Sequence, residues 1–229
     1  NYEKYLPLGK VESSVKNFDR WNSDEILINC IDRSNKKKGP DFQLIKSISD
    51  LGIGTPLIYG GGIRNLEDAK KVIETGADRL LLENIFYDNL DEVREIKKII
   101  GPQAIIMSLS LVYKNKTLYQ YNYKKKKLDN INKNFLQAME EKLISEILII
   151  DKINDGSIVR KNNFILKKNI FYNLSLILFG GLNSIDKISS TLKNNNISAV
   201  AIGNSLNYSE HRIQFLKNNI SSFRKATFV

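Results

Sequence analysis

The residues best suited to chemistry are two glycine turns and the polar residues that follow them. Gly60-Gly61-Gly62 and Gly180-Gly181 each end a short apolar run and precede a segment with a helical pattern. Glycine lets the backbone approach an anion closely, and a following helix N-terminus offers free N–H groups and positive dipole. The next apolar run ends in Glu83-Asn84 in one case and in Gly203-Asn204 in the other. Asp155-Gly156-Ser157 follows a third run and joins the second group. One such turn signals little, because any tight strand-to-helix turn favours glycine. Two at matching positions point to phosphate at both ends of a long ligand. The first group is the odder one, since Glu83 places a carboxylate where a phosphate would lie. Asp32 and Asp151 stand at the ends of apolar runs and are candidate catalytic carboxylates. His211, the sole histidine, reads as a surface or capping residue, and Cys30 as an inert thiol within an apolar run. Cys/His clusters with metal-ligand spacing are lacking, so neither a metal nor a cofactor is expected.

The elements that must position these residues alternate. Apolar runs at 25–31, 56–59, 79–82, 104–109, 146–150, 175–179 and 199–202 read as strands buried on both faces of a parallel sheet. Helical patterns lie between them at 11–21, 41–51, 66–74, 90–99, 132–142, 163–173 and 184–193. Asn65 and the pair Asn183-Ser184 supply caps for two of these helices. The segments 57–91 and 176–210 repeat the order strand, glycine turn, capped helix, strand, short polar segment. Two matching halves of four units each predict a (β/α)8 TIM barrel with internal two-fold repeat, in one domain over 1–229 with halves near 1–100 and 101–229. Seven strands can be counted where the barrel needs eight, so the first strand is expected to be missing from the chain as it stands.

Composition narrows the function classes. The 229 residues carry 35 Lys+Arg against 25 Asp+Glu, a formal charge of +10, and one cysteine. A lone cysteine excludes a disulfide scaffold and suggests a reducing, cytoplasmic setting. Apolar runs long enough for a membrane span are absent, so no membrane role is expected. Lys124–Lys127, preceded by Tyr119, Tyr121 and Tyr123 in alternation, reads as a solvated hairpin; Lys36–Lys38 reads as a loop. Without a recognition motif this charge does not imply nucleic acid. Both lysine clusters follow strands, hence lie on the face where a barrel binds its ligand, and would attract an anionic substrate.

Several stretches together carry a family likeness: NYE at 1–3, DEILIN at 24–29, PLIYGGGIRNLEDAKKVIETGADRLLLEN at 56–84, SEILIIDKINDGS at 145–157, then LFGGL and AIGNSL. The chain resembles the HisF family, the cyclase subunits of imidazole glycerol phosphate synthase. That resemblance implies a barrel that takes ammonia from a HisH-like glutaminase subunit and acts on a two-phosphate ribulosyl substrate in histidine biosynthesis. Its phosphate sites would fall on Gly61, Gly62 and Asn84, and on Asp155, Gly156, Gly181, Gly203 and Asn204. The family's acid–base pair is two aspartates, on the first and fifth strands. The first would lie ahead of Asn1, and the second falls on Ser110, whose hydroxyl cannot exchange protons near neutrality as a carboxylate can. The resemblance also places the charged ring that gates ammonia on Glu25, Arg79 and Glu146, and an acidic residue facing the glutaminase on Asp78. Three functions stay open on this reading: a HisF-type synthase subunit, a divergent paralogue passing ammonia to a surface-polysaccharide sugar, and a barrel that only activates a glutaminase.

Overall fold

A computed structural model describes residues 9–35, 38–156, 170–171 and 174–220. Its parallel strands are β1 (Ile26–Asn29), β2 (Leu57–Gly60), β3 (Arg79–Leu82), β4 (Ile105–Lys114), β7 (Glu146–Asp151), β8 (Ser175–Phe179) and β9 (Ile197–Ala201). They pair in chain order, β1-β2-β3-β4-β7-β8-β9, each parallel to its neighbour, in the curled sheet of an α/β TIM barrel. Two further strands, β5 (Thr117–Asn122) and β6 (Lys127–Asp129), form an antiparallel hairpin on the far end of β4.

Alternation along each strand divides the core in two. Ile58, Leu81, Ile106, Leu148, Ile150 and Ile177 form an inner cluster. Their neighbours Tyr59, Leu80, Leu82, Met107, Ile147 and Leu178 face outward and pack beneath the helices. That outer layer comprises α1 (Val11–Arg20), α2 (Ile31–Asn35), α3 (Phe42–Ser49), α4 (Leu66–Thr75), α5 (Asn84–Asp88), α6 (Leu90–Ile100), α7 (Lys133–Glu140), α8 (Ile185–Leu192) and α9 (Arg212–Asn219). Asn65 caps α4 by accepting the amide of Asp68 at 2.8 Å. Ser184 stands at the N-cap of α8 without a side-chain cap bond, and Asn183 instead accepts Lys187 Nζ.

Some expected bounds move. The first run stops at Asn29, and Ile31 already begins α2, because the chain turns at Cys30 where it meets the first glycine turn. Strand β4 runs to Lys114 rather than 109, since the hairpin gives its far half a second partner. Strand β9 starts at Ile197, two residues early, across a register shift opposite Leu176 and Ile177. The helix expected over 163–173 lies outside the described residues apart from Ile170 and Phe171, as do residues 1–3 and Lys36 and Lys37. Among the described residues, no helix is long and apolar enough to cross a membrane.

Beside β1 and β9, the end strands of the sheet among the described residues, lies a cavity of about 360 Å³, reaching from Glu25 at the strand starts to Asn29 and Gly203 at the strand ends. Helices α1 and α9 meet next to it: Lys217 Nζ donates to Asn22 O at 2.6 Å and Asp24 Oδ1 at 2.7 Å. His211 and Trp21 approach to 6.1 Å between ring centroids. The ring of helices therefore draws together beside β1 and β9, which do not pair with each other among the described residues.

Candidate active site

The glycine turns of the two halves have closely similar backbone angles. Gly61 and Gly180 have φ of +116° and +112°, and Gly62 and Gly181 have +78° and +69°. A Cβ on Gly61 would lie 2.4 Å from Cys30 O, and one on Gly180 would lie 2.8 Å from Asp151 O. Gly62 and Gly181 abut Gly39 and Asn154 in the same way. In each half the glycine pair thus presses against the loop after the preceding strand, so both sign of φ and space demand glycine.

A mouth cavity of about 420 Å³ opens at the strand ends. Gly61, Gly62, Glu83, Asn84 and Cys30 line it from the first half, Ser108 and Lys152 from β4 and the end of β7, and Tyr121, Tyr123 and Lys126 from the hairpin. Strand alternation explains the set. On β3 the inner face reads Arg79, Leu81, then Glu83; beyond β7 it reads Glu146, Leu148, Ile150, then Lys152. Both strands carry charge at each end and apolar side chains between.

Glu83 is half-buried at this mouth and accepts the Ser108 hydroxyl at 3.2 Å. Burial drives its pKa up to about 7, against a smaller lowering by the Ser108 hydrogen bond. Burial also raises the hydroxyl of Tyr87 on α5, with the Glu83 charge adding to it. The Cys30 thiol is likewise pushed up by burial, which keeps it a thiol near neutrality. Lys152 Nζ sits 4.2 Å from the Tyr121 ring centroid and 5.8 Å from that of Tyr123, and those two rings meet edge to face at 4.9 Å. Lys124 pairs with Asp88 on α5, tying the hairpin turn down beside the mouth.

The other sequence-predicted residues fall as follows. Ser110 is fully buried and lies 3.3 Å from the Tyr123 hydroxyl, so Tyr123 stands between it and the cavity. Asp151 is 2% exposed and accepts Asn154 N at 3.2 Å and Asn154 Nδ2 at 2.6 Å, an arrangement that folds the loop after β7. Asp32 is exposed in the first turn of α2. Asp155 and Gly156 lie in the turn after β7, close to Gly180: a Cβ there would be 3.4 Å from Asp155 N. Gly203 and Asn204 follow β9, Gly203 facing the 360 Å³ cavity. Sequence reasoning missed Tyr123, Lys152 and Ser108 at the mouth; the two-residue step from Ile106 to Ser108 and from Ile150 to Lys152 was the signal that could have found them.

At the opposite end of the strands, Arg79 spans the barrel base. Its guanidinium donates to Glu25 Oε1 at 3.0 Å, Glu146 Oε2 at 2.5 Å, Ser145 Oγ at 3.1 Å and Gln103 O at 3.2 Å. Ser198 Oγ donates to the other oxygen of Glu146 at 2.9 Å. Burial alone would lower the Arg79 pKa, but the hydrogen bonds to Glu146 and Glu25 outweigh it and raise it. Asp78 is exposed next to this ring, and its Oδ2 accepts Leu57 N at 2.7 Å.

The model of the histidine biosynthesis protein family matches residues 8–212. The chain belongs to that family. Among curated relatives, a Vibrio vulnificus protein provisionally named imidazole glycerol phosphate synthase subunit hisF2 is 25% identical over 212 residues, covering 92% of this chain and 78% of its own. The Dictyoglomus thermophilum imidazole glycerol phosphate synthase subunit HisF is 25% identical over 189 residues, covering 81% and 75%. A HisF-type protein of Leptospira interrogans matches at 25% over 203 residues, covering 86% and 78%. This is a HisF-like barrel at low identity to its relatives.

Proposed function

We propose that this HisF-like barrel is the ammonia-using subunit of a glutaminase-coupled synthase, acting on a phosphorylated ribulosyl substrate to give imidazole glycerol phosphate. The observation that carries this is the charged ring at the base. Arg79 holds Glu25 and Glu146 together with four polar contacts of its own. Partly buried charges persist only where they are paired and hydrogen-bonded. From that ring to the mouth the inner face is apolar, through Ile58, Leu81, Ile106, Leu148, Ile150 and Ile177. Four residue steps along β3 and just past its end take the chain from Arg79 to Glu83, roughly 13 Å at ~3.3 Å per residue. A neutral ammonia molecule released at the base by a glutaminase docked beside Asp78 would cross that apolar interior to reach the mouth. The mouth lysines Lys126 and Lys152 suit an anionic acceptor.

A second reading, a paralogue that hands ammonia to a sugar acceptor, is favoured by two residues. Ser110 stands where the family resemblance calls for an aspartate, sealed beneath Tyr123. Glu83 occupies a position suited to phosphate. The test is turnover of the ribulosyl substrate by the purified full chain with ammonium salt, repeated with a HisH-type glutaminase and glutamine. Product from both sources supports the first reading. Loss of only the glutamine-driven reaction in Arg79→Met supports the role of the ring. Normal glutaminase stimulation without any product would leave the barrel an activator alone.

A further inference from the structure

The two halves of the barrel, alike in their glycine turns, part company at one position. Glu83 and Gly203 are both the last residue before a helical turn, with similar backbone angles, φ −137°, ψ −66° and φ −116°, ψ −104°. The second half presents bare backbone there. The first presents a carboxyl, lodged in the mouth cavity with a hydroxyl donor, Ser108, on one oxygen. An ionised carboxylate at that place disfavours phosphate, and two tyrosines, Tyr121 and Tyr123, and two lysines, Lys126 and Lys152, share its cavity. The titratable and charged groups around it are Cys30, Tyr87, Tyr121, Tyr123, Lys126 and Lys152. Among the described residues lining this cavity, Glu83 is the one carboxyl group.

The geometry points to Glu83 as the catalytic proton-transfer group of this mouth, meeting the reacting nitrogen and oxygen of a phosphorylated carbonyl substrate whose phosphate lies away from it. This rests on the ammonia-using reading above. The step balances without a further reagent. The ammonia lone pair forms the C–N bond while the carbonyl π pair moves onto oxygen, leaving N–H⁺ and O⁻. Glu83 carboxylate takes the proton from nitrogen and returns it to oxygen, giving a neutral carbinolamine and an unchanged carboxylate. A group with a pKa near the working pH serves both halves of that exchange.

Two measurements on the full-length chain test it. With ammonium and the ribulosyl substrate, Glu83→Gln should lower kcat/KM by about 10²–10³. The fall of wild-type kcat/KM below pH 7 should vanish from the residual activity, with Glu83→Asp intermediate. An unchanged rate or pH profile overturns the assignment. The second measurement needs no turnover and so separates the role of Glu83 from the identity of the substrate. Ribose 5-phosphate binding is followed by calorimetry at pH 7 in buffers of different ionisation heat. An anionic ligand that displaces water from the mouth disfavours the ionised form of Glu83, so wild type should take up more protons than Glu83→Gln, by up to about half a proton. Equal uptake in the two proteins, or no binding by wild type, overturns the proposal. Excess uptake without turnover keeps Glu83 and rejects the ribulosyl substrate.

Discussion

At the scale of single residues, the mouth trades stability for chemistry at Glu83. Its folded pKa, near 7, stands above the ordinary 4.5. A raised acid pKa means that the folded chain binds the extra proton between those values. The native state therefore loses stability relative to the unfolded chain as pH rises from 4.5 to 7, and the full cost is present above 7. Glu83→Gln keeps an acceptor for Ser108 without a charge. Thermal unfolding should show this variant more stable than wild type at pH 8, by about 1–3 kcal/mol once partial exposure is discounted. The gap should close by pH 4. Equal melting curves at pH 8 would mean that solvent reaches Glu83 freely. Ser110 lies in the same inner row but is covered by Tyr123, so position along β4 is a poor guide to access.

At the scale of elements, charge and glycine each join pieces that are distant in sequence. Arg79, at the start of β3, links the residue preceding β1 to the start of β7. Arg79→Met leaves Glu25 and Glu146 facing each other. With side chains 17%, 33% and 18% exposed for Arg79, Glu25 and Glu146, the expected loss is about 1–3 kcal/mol, below the ~3–5 of a fully buried pair. Urea unfolding at pH 8 measures it. Among the glycines, Gly61→Ala forces a Cβ into Cys30 at a φ closed to alanine, and should cost about 2–4 kcal/mol. Gly156 has φ +71° but open space around its Cβ position, so Gly156→Ala should cost only about 1 kcal/mol. A reversed order in denaturant midpoints would refute the packing role assigned to the first turn.

At the scale of the whole molecule, the helical ring draws together through α1 and α9. Leu216 on α9 is 4% exposed beside the 360 Å³ cavity, whereas Lys217 pairs with an Asp24 side chain that is 64% exposed. Leu216→Ala should therefore destabilise by about 2–4 kcal/mol, and Lys217→Ala by less than about 1 kcal/mol. Equal effects in urea would place the contact's strength in the ion pair instead. The +10 charge also takes shape at this scale. Lys124 and Lys127 are engaged by Asp88 and Asp129, while Lys126 and Lys152 line the mouth.

The sequence by itself determined the parallel (β/α) order, the paired glycine turns and the charged strand starts. Each is written locally: an apolar run of four to seven residues, a glycine where φ must be positive, a charge at or one step before the start of a strand. Only the tertiary structure decided that Glu25, Arg79 and Glu146 share one hydrogen-bonded ring, because residues 121 positions apart meet there through strand register. It likewise decided that Asp151 folds its own loop, that Tyr123 closes over Ser110, and that Glu83, Ser108 and Lys152 share a cavity. Those facts depend on which strands lie side by side and on a hairpin folding back across the mouth. Neither is encoded within any one run of residues.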